Sequence, residues 1–99
     1  MKIRNRHAIA KFIKRELNAT APLKKWETTV RRAEWRSGAD LASTYNTANL
    51  VAKDKWIFNI GGNKYRLAAM VWFSSRTVYI LKVMTHAEYD RETWGQYQD

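Results

Sequence analysis

Two groups of polar residues in the second half of the chain have the types and spacing for acid–base chemistry on a phosphate. Asn59, Asn63, Lys64 and Arg66 gather around a Gly61-Gly62 turn, and Lys82, Thr85, His86 and Tyr89 follow the next apolar run. On a helix His86 and Tyr89 share a face, because residues three apart are neighbours there. Arginine, lysine, histidine and tyrosine together suit RNA cleavage without a metal. In that reaction the ribose hydroxyl attacks the adjacent phosphate. One group removes the hydroxyl proton, another protonates the leaving oxygen, and a cation stabilises the charge that builds on the phosphorane. Histidine titrates near neutral pH, arginine forks onto phosphate and stays charged, and tyrosine stacks on a base or gives a proton. Each residue also has a plain structural reading. Arg66 fits a solvent-facing strand position, where it would add little to stability. His86 fits a junction where it satisfies a backbone carbonyl, Tyr89 fits amphipathic packing, and Lys82 fits a solvated edge. The other tyrosines and the five tryptophans read as core or partner-facing.

Other chemistries lack their residues. His7 and His86 are the only histidines and form no HExxH-type pair, so no metal site is expected. The chain has no cysteine, which excludes disulfides, thiolate metal sites and cysteine nucleophiles. Gly61-Gly62 is not followed by the Lys-Ser/Thr of a phosphate-binding P-loop, and no serine sits in a nucleophile elbow.

The elements that must hold these residues change period along the chain. Asn5 is placed to cap a helix starting near Arg6, with Ile9, Phe12, Ile13 and Leu17 as its apolar stripe. A break at Asn18–Ala21 precedes Pro22, which suits a first helical turn. Leu23, Trp26, Val30 and Ala33 make the stripe of a second helix, ended by Ser37-Gly38 with Gly38 as a left-handed cap. Ala39–Thr44 is one further helical turn. Two helices with a short break read as a hairpin. Strands are then expected over 55–60, 64–73 and 77–84, joined by short turns into an antiparallel meander. The stretch 64–73 is apolar on both faces and is placed centrally. Lys2–Arg4 and Ala48–Val51 are candidate short strands. Thr85 caps a last short helix, with Glu88 completing a capping box. The fold class is α+β: a helical hairpin packed on a small antiparallel sheet, with Ile9, Phe12, Trp26, Val71 and Ile80 in the core.

Length and charge bound the partners. Ninety-nine residues fit one domain over 1–99. Lysine and arginine number 18 against 9 acidic residues, giving +9. Residues 1–36 carry 11 basic and 3 acidic side chains (+8), residues 37–85 carry +4, and residues 86–99 carry −3. A basic front suits a polyanion, and Lys11, Lys14 and Arg15 on the first helix are its candidates, with Asn63 and Lys64 nearer the chemistry. The longest apolar run is Leu67–Phe73, far short of the roughly 18 residues of a membrane span. No signal-peptide core follows Met1–Arg6, so a cytoplasmic protein is expected.

Three segments resemble a known family. They are Phe58–Leu67 (FNIGGNKYRL), Ala69–Phe73 with Tyr79-Ile80, and Val83–Asp90 (VMTHAEYD). They are similar to the HigB-type toxins of bacterial type II toxin–antitoxin modules, part of the RelE-like group of small basic ribonucleases. The likeness covers residues 56–90 closely, while the helical half fits in length and type. It implies a compact α+β fold, ribosome-associated cleavage of mRNA that inhibits translation, and no metal or cofactor. It also implies a cognate protein antitoxin, with a helix-turn-helix DNA-binding domain of its own. By the same resemblance Arg66 binds the scissile phosphate, and His86 and Tyr89 supply acid–base or base-stacking groups. Lys82 adds positive potential, although some relatives carry the basic residue one position earlier, at Leu81 here. Arg66 and His86 are expected to face solvent together in one cleft with Tyr89 on its rim. The rival reading is a non-catalytic basic RNA- or protein-binding module on the same fold. Titratable groups converging on one face favour the enzyme, and His86 pointing into the core favours the module.

Overall fold

The computed structural model describes residues 1–91; the acidic end of the chain, residues 92–99, lies outside them. Strands β1 (Lys2–Arg4), β2 (Asn49–Ala52), β3 (Lys55–Ile60), β4 (Tyr65–Trp72) and β5 (Thr77–Thr85) form one sheet in the order β1-β5-β4-β3-β2. Helices α1 (His7–Arg15), α2 (Thr20–Arg32) and α3 (Gly38–Thr44) come before the meander, and α4 (His86–Arg91) follows β5. The fold is α+β, and β4 is the central strand. The sheet is mixed, not purely antiparallel as expected, because β1 runs parallel to β5. Pairing between the two ends of a chain depends on tertiary packing, so the local pattern of Lys2–Arg4 carries no orientation.

One sheet face holds the main core. Ile9 and Phe12 from α1, Leu23, Trp26 and Val30 from α2, and Leu41 from α3 pack on Phe58, Leu67, Val71, Val78 and Ile80. All five core residues named from the sequence are buried. The helices are not a plain hairpin. α1 lies on β5, α2 lies on β1 and β3, and the Arg6–Glu27 ion pair links them. α1 stops at Arg15, where Glu16 leaves helical geometry, and a 3₁₀ turn (Leu17–Ala19) follows. That loss of helical phase leaves Leu17 exposed instead of extending the stripe.

Two caps differ from expectation. Asn5 does not cap α1; it adopts a left-handed φ of 65° and its Nδ2 donates to the Ile80 carbonyl, tying the start of α1 to β5. α2 ends at Arg32, and Ser37-Gly38 begins α3 instead of ending α2. Ser37 Oγ accepts from the Asp40 N–H, a side-chain N-cap. Gly38 suits a close approach, since a Cβ there would sit 3.2 Å from the Trp56 ring, a tight contact.

The other sheet face carries Arg66, Ala68, Met70 and Trp72 of β4, whose neighbours Leu67, Ala69 and Val71 point to the helices. A small second cluster, Ile57, Ala68 and Met84, lies there, with Leu81 and Tyr89 packed against it. β5 has a bulge: Lys82 pairs with Ala68 and Ile80 with Ala69, leaving Leu81 as the extra residue. Leu81 and Lys82 therefore both come to this face, which gives either register a route to place a side chain there.

Candidate functional site

The site is built where β4 and β5 meet the last helix. The β3–β4 turn holds it through its backbone. Gly61 and Gly62 take φ of 64° and 61°, conformations open to glycine at little cost, and Asn63 follows at 83°. This turns the Asn63 carbonyl toward Arg66, whose Nη1 donates to it at 3.2 Å and to the Tyr65 carbonyl at 3.1 Å. The next carbonyl, of Lys64, accepts the His86 N–H at 2.9 Å. One turn thus anchors the guanidinium and the first residue of α4.

α4 starts with the capping box read from the sequence. Thr85 Oγ1 accepts from the Glu88 N–H at 3.1 Å, and Glu88 Oε1 accepts from the Thr85 N–H at 2.9 Å. Arg15 Nη2 donates to both Glu88 oxygens, at 2.8 and 2.9 Å, and its guanidinium stacks 4.8 Å from the centre of the Phe12 ring. The bond from Arg15, followed by the Thr85 N–H, holds the Glu88 carboxyl below the ordinary carboxylate range. A helix this short has little stability of its own, so these contacts fix its direction.

So fixed, α4 lays Tyr89 on the second cluster, with Arg66 Cζ 5.6 Å from the Tyr89 ring centre. Here the expectation of a solvent-facing arginine fails. Arg66 is only 8% exposed, because the ring covers the guanidinium instead of standing on a rim. His86 is not in the core: its side chain is 43% exposed. Its Nδ1 lies 2.8 Å from Asp90 Oδ2. A proton on Nδ1 shared with Asp90 leaves Nε2 as the free lone pair, the state a general base needs. Asp90 is a functional candidate that the reading of residue types passed over. Its signal was the four-residue spacing from His86 on a helix, inside the VMTHAEYD segment.

The remaining candidates divide. Asn63 and Lys64 act at the turn through their carbonyls, and the Lys64 side chain is exposed. Lys82 is exposed two residues before Met84, the partner of Arg66 across the ladder. It also borders a cleft of about 390 Å³ between α1 and β5, together with His7, Lys11 and Arg15. Lys14 is exposed on α1 and does not line that cleft. Chemically, the arrangement offers a cation under an aromatic ring and an imidazole–carboxylate pair on the adjoining helix, with further positive charge along the β5 edge.

Comparison with known proteins fits this geometry. The family described as HigB toxin, the RelE-like toxic component of a toxin–antitoxin system, matches residues 19–92. The chain belongs to the HigB toxin family. Among HigB relatives, the mRNA interferase toxin HigB of Escherichia coli is 57% identical over 35 residues, which is 35% of this chain and 34% of that protein. The mRNA interferase HigB of Shigella flexneri matches to the same extent. The aligned stretch spans about a third of the length of these curated HigB proteins. Residues 66–90, which carry the site, fall inside the HigB family match, and all of α1 precedes it.

Proposed function

We propose that this chain is the toxin of a type II toxin–antitoxin module and acts as an endoribonuclease on mRNA. The observation that supports the reading is the stacking of Arg66 under the Tyr89 ring on the sheet face left free by α1 and α2, with the His86–Asp90 pair carried on the same short helix as Tyr89. The names of the Escherichia coli and Shigella flexneri relatives support the reaction class.

In this reading the ribose 2′-hydroxyl attacks the neighbouring phosphorus and the 5′-oxygen leaves. His86, its Nδ1 held by Asp90, takes the 2′-hydroxyl proton at Nε2, and the departing 5′-oxygen receives a proton from Tyr89 or solvent. Arg66 binds the scissile phosphate and stabilises the charge of the transition state. To reach the phosphate its guanidinium must be uncovered, so Tyr89 swings from Arg66 onto a base of the substrate or shares in proton transfer. Lys82 and Lys64 add positive potential, and Asn63 sets the turn. The reaction needs no metal, because the attacking oxygen belongs to the substrate and the chain supplies the acid–base groups. Lys11, Lys14 and Arg15 face the ribosome or the RNA backbone. The protein works in the cytoplasm, on ribosome-bound message, and is neutralised by a cognate antitoxin that carries a helix-turn-helix domain; an acidic partner suits its +9 charge.

The test is cleavage of a translated message with and without ribosomes, using wild-type protein and His86→Ala. Cleavage that needs ribosomes and is lost in the variant supports the reading. Binding to RNA without cleavage by the wild type identifies a non-catalytic module instead.

A further inference from the structure

Six of the large aromatic side chains, Phe12, Trp26, Trp35, Trp56, Phe58 and Tyr65, are buried in the main core. Trp72 and Tyr79 are not: they are 38% and 40% exposed. Both lie on the sheet face that carries Arg66. Trp72 follows Arg66, Ala68 and Met70 in the alternation of β4, and Tyr79 pairs with Met70 across the ladder. Their ring centres are 6.4 Å apart, with planes tilted by 50°. On the adjoining strand β1, Lys2 pairs with Thr77 and Arg4 with Tyr79, and both are exposed. Side chains directly opposite one another in a ladder share a face, so Arg4 lies beside Tyr79, and Lys2 lies on the same face beyond Thr77, the partner of Trp72.

We propose that Trp72 and Tyr79, with Arg4 and Lys2 beside them, form a stacking platform for single-stranded RNA. It takes the nucleotides that flank the one held at Arg66, and it rests on the ribonuclease reading above. A half-exposed tryptophan forgoes much of the stabilisation that burying its large apolar surface would bring. Exposed rings interleaved with cations are the combination that holds single strands without regard to sequence, rings taking bases and cations taking the backbone. The platform also lies in line with the chemistry. From Arg66 to Trp72 is six strand steps, roughly 20 Å at about 3.3 Å per residue. The β4 side chains between them on this face are only Ala68 and Met70, so nothing bulky on that strand separates the two ends. A protein partner is the weaker fit, because the exposed apolar area is two rings with the half-buried Met70 beside them, and the β1 side of it is bordered by Arg4 and Lys2.

The probe is a labelled single-stranded 2′-O-methyl RNA oligonucleotide, which cannot be cleaved, titrated by fluorescence anisotropy. Trp72→Ala is expected to weaken binding about 5- to 100-fold, the worth of one base–aromatic stack. Trp72→Phe is expected to retain most of the affinity. Arg4→Gln should lower the slope of affinity against salt by about 1, and Trp72→Ala should leave that slope unchanged. An oligonucleotide with one abasic site, moved along its length, should lose affinity for wild type at one or two positions and lose none there for Trp72→Ala. The wild-type half of that arm leaves the protein unaltered, so the position-dependent loss can be read even where a variant folds poorly. Wild-type binding with unchanged affinity in Trp72→Ala and Tyr79→Ala overturns the platform and leaves the ribonuclease reading standing. No binding of the oligonucleotide by wild type overturns the platform, and cleavage of a ribosome-bound message then decides the ribonuclease reading separately.

Discussion

Replacing Arg66 with alanine should injure both the fold and the reaction, and the two losses can be separated. The side chain is 8% exposed and bridges the carbonyls of Asn63 and Tyr65 beneath the Tyr89 ring. Two hydrogen bonds from a charged donor each contribute about 1.5–3 kcal/mol, and the ring contact adds about 0.5–1 kcal/mol. Burying the guanidinium costs several kcal/mol in the other direction. These opposing contributions place the loss within the usual range for a single substitution, at about 2 kcal/mol, above the roughly 0.5 kcal/mol of an exposed strand residue. For a domain of this size that lowers Tm by about 8–16 °C. The variant still folds at 25 °C, so single-turnover cleavage can be read there at saturating message. Loss of a transition-state donor should slow it about 10²–10³-fold. Calorimetry and a quenched-flow cleavage assay on the same preparations give both numbers. An Arg66→Ala protein that melts with wild type refutes the buried bridge, and one that cleaves at the wild-type rate refutes the assignment of Arg66 to the phosphate.

Three further outcomes follow from named contacts. Glu88 is held below its ordinary pKa by the Arg15 bond and the Thr85 N–H, so its contribution is fully present above the unfolded pKa and is lost as pH falls through the folded value. Because Arg15 is half exposed the pair contributes about 0.5–1 kcal/mol, so urea unfolding should show wild type more stable than Glu88→Gln by this amount at pH 7, with the two converging in strong acid. Asp90→Asn should keep the fold, by circular dichroism, and lower cleavage by less than the roughly 10²–10⁴-fold expected for His86→Ala; an unchanged rate means that Asp90 does not orient the imidazole. Lys11→Ala and Lys14→Ala should each weaken RNA or ribosome binding and reduce its salt slope by about 1, with single-turnover cleavage at saturation unchanged.

What could be read from the sequence followed the range of the interactions involved. β3, β4 and β5 appear within a residue or two of their expected bounds, because alternation and the Gly61-Gly62 turn are local signals. The Thr85–Glu88 box was legible for the same reason: both partners lie within one turn. The parallel pairing of β1 was not, since Lys2–Arg4 meets Thr77–Tyr79 only after the chain has folded back. Ser37-Gly38 fits an end or a start equally well by composition, and the Ser37 side chain capping the Asp40 N–H marks a start. In the site, residue type pointed to Arg66, His86 and Tyr89, while the burial of Arg66 depends on the angle at which α4 leaves β5. That angle is set by Glu88 and Arg15, residues 73 apart. Arg15 is therefore engaged with α4 as well as standing on the basic cleft.

The chemistry of the cut ends tests the central claim most directly. Message cleaved by the wild-type protein should carry a 2′,3′-cyclic phosphate and a 5′-hydroxyl, as attack by the ribose oxygen requires, and folded His86→Ala should yield almost none of either. Ends bearing a 3′-hydroxyl and a 5′-phosphate, or wild-type yields of product from His86→Ala, would contradict a site built on Arg66, His86 and Tyr89.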